Sequence, residues 1–143
     1  MILGAALCGF RGFGALGVTV FCSWRVCSRY ALAVMLLLTG SAHFTSIREV
    51  LVRMVPPWMP APRMVIFVTG LLEILGAIGL LVPRFQRSAG IALVLFFIAV
   101  LPANIYAAQS GMLLGGQPAT PVWIRVPIQL LFIALAWWST KPR

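Results

Sequence analysis

Acidic side chains are nearly missing from this chain of 143 residues, in which Glu49 and Glu73 face eleven lysines and arginines for a net charge of +9. Histidine occurs once, as His43, so a bis-histidine haem is excluded, and two separated glutamates offer no metal-ligand cluster. Cys8, Cys22 and Cys27 form no C-x-x-C pair and are odd in number. They read as small packing hydrophobes, with a redox role for Cys22 and Cys27 as the alternative. There is no N-x-[ST] sequon, P-loop or dinucleotide-binding glycine motif. Charge of either sign is scarce, at 9% of residues against 62% hydrophobic, and mean hydropathy is +1.04. Soluble domains carry roughly 25% charged and 45–50% apolar residues. A domain this small cannot hide such a surplus from water, so it must face lipid. The basic excess then reads as anchoring to anionic headgroups at the ends of apolar runs, and nucleic acid is excluded as a partner.

Four apolar runs approach the roughly 20 residues that cross a hydrocarbon core. They lie at about residues 28–45, 64–82, 88–107 and 122–139. Pro83 closes the second, while Pro102 and Pro127 fall inside the third and fourth and predict kinks. The expected fold is an all-α, polytopic transmembrane four-helix bundle spanning residues 28–143. Residues 1–27 form an apolar, Gly-rich extension with Arg11 in its middle, a charge order opposite to that of a secretory signal. They are expected to lie at the interface or loosely against the bundle, or else to form an extra helix.

Between the first two runs, Ser46-Ile47-Arg48-Glu49 has the spacing of a capping box, and Ile47, Val50, Leu51 and Met54 share one helical face. That predicts a short amphipathic helix on the membrane surface, stopped by the proline-rich stretch from Pro56 to Pro62. Arginine and lysine counts favour one side: Arg11, Arg25, Arg29, Arg84, Arg87, Lys141 and Arg143 against Arg48, Arg53, Arg63 and Arg125. Both termini are therefore expected in the cytoplasm.

Glu73 sits near the middle of the second run, where a carboxylate is costly unless paired or protonated. Thr69, Gly70, Gly76 and Ala77 share its face and admit a close neighbouring helix. His43 follows Thr39 by four residues, and Gln129 follows Arg125 by four, so each pair lies on one helical face. At about 1.5 Å per residue, His43, Asn104 and Arg125 fall within about 5 Å of the outer boundary, with Gln129 about 10 Å and Glu73 about 13 Å deep. These five residues are the candidate ligand-binding set, a polar funnel opening outward. An Arg125–Glu73 ion pair would require the arginine to reach inward. Individually, each residue also has a plain structural use in joining helices.

Several short runs together resemble the DoxX family of small membrane proteins. They are Gly40-Ser41-Ala42-His43-Phe44, Pro56-Pro57-Trp58-Met59-Pro60, the run from Thr69 to Ala77, Pro102-Ala103-Asn104-Ile105 and Arg125-Val126-Pro127-Ile128-Gln129. The resemblance covers about residues 28–140 and implies a four-helix membrane fold. Some DoxX members resemble the membrane subunit of a thiosulfate:quinone oxidoreductase, and others are linked to thiol-based or oxidative-stress complexes. The paired cysteines needed for thiol exchange are missing here.

Three functions stay open. The first is a non-catalytic membrane component whose pocket binds a small ligand, a quinone or lipid, or docks a redox partner. The second is the membrane subunit of a quinone-linked oxidoreductase. The third is a structural or assembly factor. Lipid is the expected surrounding, a membrane or redox protein a possible partner, and oligomerisation is open.

Overall fold

The computed structural model describes residues 2–15, 23–111, 113–114, 117–118 and 120–141. Its helices are α1 (Ile2–Ala15), α2 (Trp24–Ala42), α3 (Arg48–Arg53), α4 (Pro62–Leu81), α5 (Gln86–Gln109) and α6 (Val122–Ser139). Between α5 and α6, a two-residue antiparallel ladder pairs Leu113–Leu114 with Gln117–Pro118. Cys22 and Arg143 lie outside the described residues, so the readings that involve them stop at the sequence.

Prolines set several boundaries. Pro62 takes the first turn of α4, where its missing N–H has no partner to lose. Val82, forced towards extended geometry ahead of Pro83, ends the same helix. Pro121 precedes α6, and Gly111, with φ at 62°, supplies the left-handed turn after α5. Pro102 and Pro127 stay inside continuous helices.

The S-x-x-E motif does not cap α3. Its N-cap is Ile47, with no side-chain cap bond. The nearby hydroxyl of Thr45 is already engaged, donating to the Ala42 carbonyl at 2.8 Å and accepting from the Ile47 N–H at 3.4 Å.

Three helices, α4, α5 and α6, are long and apolar enough to cross a membrane. The 20 residues of α4 correspond to about 30 Å, the thickness of a hydrocarbon core. Only 22%, 17% and 17% of their most apolar windows are buried in the protein, so most of that hydrophobic surface faces outward. Apart from the two-residue ladder the described secondary structure is all helix, and the chain is a multi-pass membrane protein. α2 is as long, with 19 residues, but Arg25, Ser28 and Arg29 dilute its first turns and it falls outside this group.

α2, α4, α5 and α6 form a ring in which each packs on the next, and α6 returns to α2. The core contains Leu32, Leu36, Ala77, Leu80, Leu93, Phe97 and Ala136. α1 packs along α2: Phe10 meets Tyr30 at 5.8 Å between ring centroids, while Leu3 packs against the core. Exposed Trp58 and Trp123 lie at one end of the ring, and Trp24, Trp137 and Trp138 at the other, a pattern suited to two headgroup layers. The first end, which carries α3, is the lid end. The second carries Arg25, Arg84, Arg87 and Lys141 and is the basic end.

Candidate functional site

In its lid half the ring is partly hollow. A cavity of 590 Å³ is bounded by Met35, Leu36 and Thr39 of α2, Glu73 of α4, Phe96, Phe97, Val100 and Asn104 of α5, and Gln129 and Phe132 of α6. Leu3 and Gly4 of α1 complete one side. A second cavity of 380 Å³ lies towards the lid and is bounded by His43, Thr69, Glu73, Phe96, Val100 and Asn104. Leu51 of α3, with Met54 and Val55 after it, also lines the second cavity. The apolar face of the 43–61 segment is thus turned partly into the protein, where it roofs a cavity, and not only onto the membrane surface. Glu73, Phe96, Val100 and Asn104 belong to both cavities and form their shared wall.

Two hydrogen-bonded systems border this space. On one side, Thr39 donates its hydroxyl to Glu73 Oε2 at 2.6 Å, and the Met35 carbonyl lies 3.0 Å from the same hydroxyl. Thr39 can therefore serve either protonation state of Glu73. It donates to the carboxylate, or it accepts from the carboxylic acid while donating to Met35. One turn on, His43 Nδ1 lies 2.9 Å from the Thr39 carbonyl. A carbonyl only accepts, so Nδ1 carries a proton in this contact. Close backbone approach makes this side possible. A Cβ on Gly40 would lie 3.1 Å from both the Gly70 carbonyl oxygen and Glu73 Cβ, and one on Gly70 would lie 2.5 Å from His43 Cβ.

On the other side, Arg125 Nη1 donates to Asn104 Oδ1 at 3.3 Å, and Asn104 Nδ2 donates to Gln129 Oε1 at 3.5 Å. Gln129 Nε2 then donates to the Phe97 carbonyl at 2.9 Å. That carbonyl neighbours Ile98, whose own carbonyl loses its helical donor to Pro102. A buried side-chain amide near the carbonyl that Pro102 leaves without a donor is the kind of polar support that lets a spanning helix tolerate proline.

Of the five sequence-selected residues, Glu73 and Asn104 line both cavities, His43 lines the second and Gln129 the first. Arg125 lines neither, reaching the site through Asn104 while its Nε donates to the Thr120 carbonyl at 3.0 Å. The inward reach to Glu73 is not made: among the described residues no ion pair joins these two, and the pair formed is Arg63–Glu49, at 3.3 Å. Thr39 was not among the five, though its spacing from His43 was visible. Phe96 and Phe97 carry no polar signal and were not legible as site residues. Among the described residues no group of His, Cys, Asp and Glu could hold a metal ion.

Residues 32–140 match the profile of a family described as a domain of unknown function, DUF8561. The chain belongs to that family. The DUF8561 match begins inside α2, runs to the end of α6 and includes all five residues above, whereas α1 lies outside it. No curated protein and no solved structure matches the chain.

Proposed function

We propose that this protein is a non-catalytic membrane component that binds a small amphipathic molecule, a lipid or a quinone, in the lid-end cavities around Glu73. The observation that carries this reading is the shared wall, which presents one carboxyl and one amide to two largely apolar spaces. Each space adds only two further polar side chains, Thr39 and Gln129 in the first and His43 and Thr69 in the second. Binding sites for such molecules combine an apolar lining with a few placed polar groups. Phe96, Phe97, Val100 and Phe132 suit a ring or hydrocarbon chain. Glu73 would receive or relay a proton, and Asn104, Gln129 and His43 would hydrogen-bond a head group. Arg125 would favour a partly anionic one. The resemblance of these helices to the DoxX family supports the same reading.

The proposal includes α2 as a fourth span, because its two arginines lie in its first turns and the stretch from Tyr30 to Thr39 is uncharged. It also places the basic end, with the end of α6, in the cytoplasm by the excess of arginine and lysine there. α1 runs towards that end from Leu3, which lies beside the first cavity in the lid half, so the start of α1 does not share the side that the charge count assigned to both termini. The cavities then open towards the outer side of the cell membrane.

Organic extraction and native mass spectrometry of the detergent-purified chain test this reading. The wild type is expected to retain a lipophilic molecule whose occupancy falls about tenfold in Glu73→Gln, a loss of about 1.4 kcal/mol. Val100→Trp, which fills space in both cavities, should abolish retention. Unchanged retention in both variants would overturn the reading.

A further inference from the structure

At the basic end, away from the Glu73 cavities, we propose a binding site for the phosphodiester of an anionic glycerophospholipid, in the cleft between the start of α5 and the end of α6. A small cavity of 80 Å³ there is lined by Arg87, Ile91, Trp137, Thr140 and Lys141. It is far smaller than the cavities around Glu73, which suits one compact head group. Arg87 and Lys141 are both exposed at its mouth, and Lys141 Nζ stands 5.8 Å from the Trp137 ring centroid. The chain cannot neutralise these cations with an acidic side chain. Its only two are Glu49, which pairs with Arg63 at the opposite end, and Glu73, midway along α4. The counter-charge has to come from outside the sequence's own Asp and Glu.

The chemistry of the lining selects the occupant. Arginine presents a planar fork that matches two phosphate oxygens, and lysine adds a point charge. Thr140 contributes shape, since its hydroxyl donates to the Ala136 carbonyl at 2.7 Å and its side chain packs on Gly90. Ile91, one turn along α5 from Arg87, and the indole of Trp137 give the cleft an apolar wall. A free phosphate would leave that wall unused, whereas a lipid lays its glycerol and first methylenes along it. Anionic lipid head groups gather at the basic, cytoplasmic ends of spanning helices for the same electrostatic reason.

Native mass spectrometry of the full-length chain, titrated separately with phosphatidylglycerol, phosphatidylcholine and inorganic phosphate, tests the proposal. The wild type should prefer phosphatidylglycerol to phosphatidylcholine. Arg87→Gln with Lys141→Gln should lose about 25-fold in phosphatidylglycerol affinity, at about fivefold per cation removed. Arg53→Gln, which removes an exposed cation at the lid end, should leave the affinity unchanged. Circular dichroism confirms that each variant keeps its helices. Equal losses in the Arg53 variant would reduce the effect to bulk charge and overturn the site. Undiminished affinity in the double variant, or competition by inorganic phosphate at the same concentration as the lipid, would also overturn it.

Discussion

The two halves of the ring are held together by different means. In the basic half the helices touch through glycines. A Cβ on Gly76 would lie 2.5 Å from a Leu93 methyl, one on Gly79 2.7 Å from Ala89 Cβ, and one on Gly90 2.0 Å from Thr140 Oγ1. In the lid half only the α2–α4 seam is that tight. α5 and α6 are joined there by the Arg125–Asn104–Gln129 chain, and two cavities remain between the helices. Dispersion contacts need no specific partner but tolerate no added volume. The Arg125–Asn104–Gln129 chain links α5 and α6 through long side chains, without the close backbone approach that the glycines give elsewhere. In the basic half the glycine contacts close the interior of the ring, and the remaining space is a groove of 660 Å³ bounded by α4, α5 and the turn between them, with the small cleft at Arg87. The lid half keeps its space between the helices of the ring.

The largest expected effect breaks the glycine contacts of the basic half. Gly90→Val should destabilise the protein by about 3 kcal/mol, because the new side chain must displace Thr140 from its bond to Ala136. Gly9→Val on α1, where a Cβ would meet nothing within 4 Å, should cost far less. Thermal unfolding in detergent measures both. Similar losses at the two positions would mean that the basic half is not close-packed.

A smaller loss is expected where the lid half relies on polar pairing. Thr39→Val removes the hydroxyl that meets Glu73 and should cost about 1–2 kcal/mol, since a membrane-buried hydrogen bond is worth less than its desolvation suggests. In a double-mutant cycle, Thr39→Val combined with Glu73→Leu should cost less than the sum of the two single changes. Strict additivity would show that the bond contributes nothing.

How much of this was legible beforehand depends on the range of the signal. The end of α4 followed from Pro83, which acts on its immediate neighbour, whereas Pro62 and Pro121, which carry the same local signal at the starts of α4 and α6, read only as parts of loops. The early start of α2 did not follow in that way. Arg29 bonds to Gln86 of α5, and Arg25 lies 5.7 Å from the Trp138 ring of α6, so its first turns depend on helices distant in sequence. The capping box was misread because Thr45, one residue earlier, holds the turn that the motif assigns to Ser46. Depth counting grouped the five site residues, but it could not pair them. Arg125 meets Asn104 and not Glu73 because α5 is the ring neighbour of α6, while α4 stands across from it.

Next in size is the amide chain. Gln129→Leu keeps the volume close to that of the wild type while removing the donor to the Phe97 carbonyl and the acceptor for Asn104. A loss of about 1 kcal/mol is expected. Because the change also makes the wall of the first cavity less polar, extracted ligand should fall with it. Stability falling while ligand retention is untouched would assign the amide to helix packing alone.

The smallest effect should come at the roof. The Glu49–Arg63 pair joins α3 to the start of α4, yet its side chains are 61% and 69% exposed. Water and salt screen such a pair, so Glu49→Gln should cost less than about 0.5 kcal/mol. What holds the roof down is apolar: Val55 and Pro56 are buried, and Leu51 and Met54 line the second cavity. Limited proteolysis within residues 43–61 separates the two contributions. Glu49→Gln should cleave no faster than the wild type, whereas Met54→Ser should cleave several-fold faster. Rapid cleavage of Glu49→Gln would make the exposed pair the latch, and the lid half would then open by electrostatics instead of by releasing apolar contacts.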